Sequence, residues 1–311
     1  MNRRDFLLSG LAQALRAATL DRSIVGANTA LSGYGLYQAV EALRRIGFAS
    51  IEIHPMGVPD PTPEKFPGFV FDRIPEAEKR KIRKSLEGFQ HITTHLPYIG
   101  LNPFSQEREV AEASCLTIRT ALDATAYFGA ELAVLHAIAP KGRRLEEFWP
   151  VMIRRIREWG DFAGGRRFKL TIETGFPTSV ADFVRLVKEV DHDGVGCTID
   201  VGHQRGYKEL VAKVKPEERA TPAGIRAYND TTHAIIDGLR EKIWHFHVHD
   251  IDPPTWQEHR PLGTGFVDYP RLIAKLRQID YRGLLVLEIG APGSEIEAHL
   301  IDSKRRLEAF L

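Results

Sequence analysis

The chain has 311 residues, with 42 Lys and Arg against 41 Asp and Glu, 43% hydrophobic and 27% charged. That is ordinary globular composition with material for one large core, and a net charge of +1 argues against nucleic acid as the main partner. No run of about 20 apolar residues is present, so no membrane-spanning helix is expected. Cys115 and Cys197, far apart and in apolar surroundings, read as buried free thiols.

Residues 1–22 form an N-terminal extension. Asn2-Arg3-Arg4-Asp5-Phe6-Leu7-Leu8, followed by the apolar Leu11 to Leu15, has the pattern of a twin-arginine export leader. Arg16 interrupts the apolar stretch, so an amphipathic helix over 4–18, packed on the bottom of the fold, is the alternative. The cytoplasm is favoured as location, with twin-arginine export to the periplasm as the other reading.

From residue 23 onward, apolar runs alternate with segments of helical periodicity. Strands are expected over 23–28, 50–53, 91–95, 132–136, 169–173, 196–200, 243–247 and 284–288. Helices are expected over 36–46, 75–86, 108–128, 145–163, 180–190, 225–240, 269–278 and 294–311. Eight strand–helix alternations predict a single (β/α)8 TIM barrel over 23–311 rather than an open doubly wound sheet. Two long connections stand out. Residues 204–224 read as a lid or as an insertion extending the next helix, and 56–72, rich in Pro and Phe, as a loop able to close over a small ligand.

Four strands finish on a group able to bind metal: the runs ending at Glu173, Asp200 and Glu288, and Ile243-Trp-His245-Phe-His247-Val-His249-Asp250. Alternation along a strand puts Ile243, His245, His247 and His249 in one inward row, with His245 a layer deeper than His247 and His249 at the exposed mouth. His245 and His249 fit supporting roles better than primary ligation. Glu173, Asp200, His247 and Glu288 end strands five to eight and so should stand side by side. Three carboxylates and one imidazole suit one moderately hard divalent ion, Mn²⁺ first, then Mg²⁺, Co²⁺ or Zn²⁺. His95, His136, His203 and His259 fall at equivalent places and could bind substrate hydroxyls or a second metal. His54, His192 and His233 lack such context.

These motifs, Thr94-His-Leu-Pro-Tyr98, Leu135-His136, Ile172-Glu173, Ile199-Asp-Val-Gly-His203, His247-Val-His-Asp250, Pro261-Leu-Gly-Thr-Gly265 and Val286-Leu-Glu288, come in an order that resembles the xylose-isomerase-like barrels. That superfamily includes sugar phosphate isomerases/epimerases, ketose 3-epimerases and endonuclease IV. The resemblance implies metal ligation by Glu173, Asp200, His247 and Glu288, with Glu173 and Glu288 doubling as acid and base and His203 contacting substrate. It implies an isomerase or epimerase that removes a proton from a small carbohydrate or keto-sugar through an enediolate. The arginine that ketose 3-epimerases carry six residues past the strand-seven histidine is Pro253 here, which leaves Arg260 as a substitute.

His95, His136, Glu173, Asp200, His203, His247, His259 and Glu288 also match the metal-ligand pattern of endonuclease IV. That enzyme's Asp-x-His is replaced here by Gln257-Glu258-His259, which removes one carboxylate ligand. A lyase on keto-sugars or their glycosides, an apurinic-site nuclease and a non-catalytic sugar-binding barrel are the alternatives, and a homo-oligomer is compatible with the sequence.

Overall fold

A computed structural model of the chain describes residues 20–55, 68–140 and 142–311. Its strands are β1 (Val25–Asn28), β2 (Ser50–Pro55), β3 (His91–His95), β4 (Leu132–His136), β5 (Lys169–Glu173), β6 (Val195–Asp200), β7 (Ile243–Val248) and β8 (Leu284–Leu287). All neighbours are parallel, and β1 pairs with both β2 and β8, closing the sheet. Eight helices follow the strands: α1 (Leu36–Ile46), α2 (Glu76–Ser85), α3 (Arg108–Phe128), α4 (Leu145–Gly165), α5 (Val180–Val190), α6 (Pro222–Leu239), α7 (Tyr269–Gln278) and α8 (Ile296–Phe310). This is the expected (β/α)8 barrel.

Local chemistry sets the ends of these elements. α1 and α3 stop where Gly47 and Gly129 take left-handed backbone at φ 84° and 70°. Ser179 caps α5 by accepting the Asp182 N–H at 3.2 Å. α6 starts at Pro222, three residues before the expected 225, because the Thr221 hydroxyl accepts the Gly224 N–H at 3.1 Å and proline suits a first helical turn. The first strand begins later than expected, since Arg22–Ile24 is a 3₁₀ turn.

Two loop expectations change. The described end of 56–72 contains a two-residue strand, Gly68–Phe69, that pairs in parallel with His54 and Pro55; residues 56–67 lie outside the described residues. The segment 204–224 folds into short pieces, 3₁₀ turns at His203–Gly206 and Pro216–Glu218 around a single helical turn at Lys208–Val211. Buried Tyr207 accepts the Gly175 N–H at 3.1 Å, and Glu209 accepts from Val180 and Ala181 at 3.1 and 3.2 Å. These contacts tie it to the β5–α5 loop as a packed layer. The leader-or-helix expectation falls on residues 1–19, also outside the described residues, while Leu20 is buried. Cys197 is buried as expected, but Cys115 is only partly so: it packs at the edge of the core, where the Arg155 guanidinium of α4 reaches its Sγ at 2.9 Å.

One register irregularity shapes the interior. Between β6 and β7 the partners run Cys197↔Ile243 and then Thr198↔His245, skipping Trp244. A Cβ on Gly196 would lie 2.6 Å from the Trp244 ring, so only glycine leaves room for that indole at the base of the barrel. The bulge brings His245 opposite Thr198 and His247 opposite Asp200. Ile243, registered with Cys197, therefore drops out of the inward row in which the sequence pattern placed it.

Candidate metal centre and active site

Parallel barrel strands deliver their last inward side chains to one mouth. Here β5 supplies Glu173, β6 Asp200 and β7 His247, while Glu288 follows β8 directly. One donor atom from each lies within 4.8 Å of the others, so the four residues singled out as ligands meet. His247 Nδ1 lies 2.7 Å from Glu173 Oε1, 3.1 Å from Glu288 Oε2 and 4.0 Å from Asp200 Oδ2. The first three side chains are closed to solvent, whereas that of Glu288 is 20% exposed.

The other histidines ring this cluster. His136 Nε2 lies 2.7 Å from Glu173 Oε2 and 3.2 Å from His95 Nε2. Tyr98 covers His136 with ring centroids 4.2 Å apart and is itself exposed. His203 Nδ1 donates to the Thr174 carbonyl at 2.8 Å, which leaves Nε2, 4.0 Å from Asp200 Oδ1, as the atom available to a ligand. His259 Nε2 approaches Asp200 Oδ2 to 4.0 Å. Arg260 is not brought in: it is exposed, and its backbone forms a two-bond bridge with Asp250. The Asp250 carboxylate then accepts N–H bonds from Gly263 and Val267 at 2.9 and 3.0 Å, shaping the loop that presents His259.

Two placements depart from the sequence reading. His249 is fully buried rather than exposed at the mouth, because Nε2 reaches Asp200 Oδ1 at 3.0 Å and the chain folds back over it. That approach needs Gly202, whose added Cβ would lie 2.5 Å from the His249 ring. His54 has context after all: it is buried, stacks on His95 at 5.2 Å and contacts the Thr29 hydroxyl at 3.3 Å. One residue of the cluster escaped the sequence reading altogether. Glu52, in β2, is fully buried with Oε1 2.9 Å from His247 Nε2. Its signal was an acidic residue flanked by Ile51 and Ile53 in the middle of an apolar strand.

Burial opposes charge on every one of these carboxylates, yet the facing imidazoles outweigh it. His247 and His245 hold Glu52 far below the usual range, His136 and His247 do the same for Glu173, and His203 and His249 for Asp200. Glu288 is also lowered, chiefly by His247 and His259. Conversely, although burial disfavours an imidazolium, Asp200 and Glu173 push His203 up to about 9, and Glu52, Glu288 and Glu173 raise His247. His245 and His54, where burial dominates, drop to about 4.

Four carboxylates thus share one buried cavity, with only imidazoles as recorded ion-pair partners among the described residues. Buried carboxylates are costly unless cations offset them; the raised imidazoles do so as long as they hold their protons, and a divalent ion can take that place. Two buried atoms point the same way. Glu173 Oε2 has no hydrogen-bond partner beyond the ion-pair approach of His136 Nε2 at 2.7 Å, and His259 Nε2 has none. Unsatisfied donor atoms on oxygen- and nitrogen-rich walls fit a divalent ion.

The profile of a family described as a xylose isomerase-like TIM barrel matches residues 40–309. An uncharacterized protein of Methanocaldococcus jannaschii is 24% identical over 215 residues, 63% of this chain and 64% of the relative, so the chain spans under two thirds of that protein's length. Among solved structures, a D-tagatose 3-epimerase-like protein superposes with a TM-score of 0.69 at 18% identity, covering 92% of this chain and 96% of the other. A D-psicose 3-epimerase gives 0.65 at 19%, covering 92% and 97%. The 3-keto-D-glucoside 4-epimerase of E. coli gives 0.65 at 15%, covering 90% and 98%. At these identities the likeness is one of fold.

Proposed function

Given that the chain belongs to the xylose isomerase-like TIM barrel family, we propose that it is a divalent-metal-dependent isomerase or epimerase acting on a small carbohydrate or keto-sugar. The observation that carries this reading is the meeting of Glu173, Asp200, His247 and Glu288 donor atoms within 4.8 Å at the barrel mouth. A bound ion, Mn²⁺ by preference for this oxygen-rich set, supplies Lewis-acid charge that acidifies a C–H beside a carbonyl.

Two carboxylates then move the proton. Glu173 is ionised and enclosed, and so ready to take a proton from carbon to leave an enediolate, while Glu288 stands at the more open side, where it can take up a proton from water and deliver it to the enediolate as Glu173 later releases its own. Return to the same carbon from the other face epimerises; return to the neighbouring carbon isomerises. His203 Nε2, fixed by the Nδ1 bond to Thr174, is placed to hold a substrate oxygen, and His95, His136 and His259 line the same opening. Two of the structures of similar fold are named as epimerases of D-psicose and of a 3-keto-D-glucoside, and the third as like a D-tagatose 3-epimerase, which supports a carbohydrate as the small-molecule partner.

A second reading has one observation in its favour. His136–Glu173–His203 and Asp200–His203–His259 are also groups of three donors, so the mouth has room for more than one ion, as a multinuclear phosphoesterase would need. Glu258 counts against it: its carboxylate is drawn to Arg205 at 3.3 Å and joins none of the donor groups found among the described residues.

The test is C–H exchange. Mn²⁺-loaded protein incubated with a panel of ketoses and keto-sugars in D₂O should place deuterium beside the carbonyl of at least one. Glu173→Gln and Glu288→Gln should fold normally and lose that exchange by about 10³-fold or more. Exchange retained in both variants would sink the mechanism, and β-elimination in place of return would redirect it to a lyase.

A further inference from the structure

The four donors account for His247 Nδ1 but leave the other ring nitrogen unexplained. Nε2 faces away from the mouth, across the barrel to β2, and meets Glu52 Oε1 at 2.9 Å. Glu52 is fully buried, and its second oxygen accepts a hydrogen bond from the Thr93 hydroxyl of β3 at 3.1 Å. Register explains the contact: Glu52 and Thr93 are paired residues of adjacent strands and point into the same layer. His245 Nε2 stands 3.5 Å from that same oxygen, too far for a good hydrogen bond, and both of its ring nitrogens lack partners.

An ionised carboxylate only accepts hydrogen bonds, and His247 faces one at each nitrogen, Glu52 at Nε2 and Glu173 at Nδ1, so without a cation both nitrogens carry hydrogen; a cation held with Glu173 takes the place of the Nδ1 proton, while Nε2 keeps its hydrogen on Glu52. A neutral imidazole with hydrogen on Nε2 has its lone pair on Nδ1. That lone pair then points at the cluster formed by Glu173, Glu288 and Asp200. A ring flipped by half a turn would aim Nε2 at the mouth and present Nδ1 to Glu52 in a different place, so a fixed acceptor below also sets the ring's rotation.

We propose that Glu52, held by Thr93, is the positioning residue of this site: it fixes His247 in the Nε2–H tautomer and presents Nδ1 to the metal. The proposal rests on the metal reading above and extends it one residue deeper into the barrel. In this arrangement Glu52 serves the imidazole and not the cation, although Glu52, His245 and His247 also bring donor atoms within 4.8 Å of one another. Its influence passes through the imidazole, which predicts an effect on metal affinity larger than its effect on the fold.

The experiment uses the full-length protein, titrated with Mn²⁺ for affinity and with diamagnetic Zn²⁺ for nitrogen-15 NMR of the histidine rings. In the Zn²⁺-loaded wild type, His247 should show a protonated Nε2 and a coordinated Nδ1. Glu52→Gln, which keeps the shape but can turn an NH₂ toward the ring, should weaken Mn²⁺ binding about 10- to 100-fold and lose the single-tautomer signature. Thr93→Val, which leaves the carboxylate in place but unanchored, should move both readouts the same way by about 2- to 5-fold; it serves as the test should Glu52→Gln fail to fold. Glu52→Asp, shorter by one methylene, should recover the tautomer in part. Unchanged affinity and an unchanged Nε2–H signal in folded variants would overturn the proposal and leave the metal site standing. A wild type that binds neither ion would overturn the metal reading itself, and the proposal with it.

Discussion

The two ends of one barrel treat charge in opposite ways. At the base, Trp244 fills the space above Gly196 with the Lys169 ammonium 4.4 Å from its ring, beside a cavity of about 710 Å³ lined in part by Arg167, Arg240 and Arg282. The ion pair there, His91 with Glu131 at 2.7 Å, is 33% and 50% exposed, so water shares its stabilisation. At the mouth, Glu173, Asp200 and His247 have no exposed side-chain surface, nor has Glu52 just beneath them. The base holds a sizeable hollow, yet the charges around it reach solvent. The mouth instead gathers buried carboxylates and imidazoles out of water, and that contrast marks the site.

The contrast can be broken from either end. The largest effect is expected from Asp200→Ala, which removes the acceptor of the Gly202 N–H and of His249 and strands both: ~3–5 kcal/mol in a urea titration, together with loss of Mn²⁺ binding. A cost below ~1 kcal/mol would mean that the buried network is not structural. At the base, Gly196→Ala should cost ~1–3 kcal/mol by overpacking against Trp244, while Mn²⁺ affinity stays within about twofold. A matching loss of affinity would show that the two ends are coupled.

Proton competition sharpens the same comparison. In the metal-free protein, Glu52, Glu288 and Glu173 raise the His247 pKa, so the ring must shed a proton before Nδ1 can bind a cation. Mn²⁺ affinity should therefore increase as pH rises through and above the ordinary histidine range, by about tenfold per unit while one proton is released. Calorimetry in buffers of different ionisation enthalpy reads that proton directly, and a flat profile from about pH 6 to 8 would contradict the site's electrostatics. The smallest effect is expected from His91→Gln, within ~0.5 kcal/mol in stability and without change in metal affinity.

The sequence made some of this readable and hid the rest for identifiable reasons. Eight alternations set the barrel, and a strand that ends on Glu173 or Asp200 announces its role because parallel strands all finish at one mouth. Glu52 and His247 are 195 residues apart and meet only because the barrel closes, so a strand-end rule could not find a mid-strand glutamate. His249 and Ile243 were misplaced because strict alternation ignores the bulge at Trp244 and the turn after β7. Both depend on glycines, Gly196 and Gly202, whose meaning lies in what packs against them. Arg260 looked available as a cation by proximity in sequence, but the bridge to Asp250 uses its backbone and leaves the side chain outside.

The central claim is that one divalent ion completes the mouth. Equilibrium dialysis of metal-stripped protein against Mn²⁺, with elemental analysis of bound metal per chain, tests it most directly. The account predicts one ion per wild-type chain and none in a folded Asp200→Ala or Glu173→Ala variant. No bound ion in the wild type, or two to three zinc ions retained in its place, would contradict it.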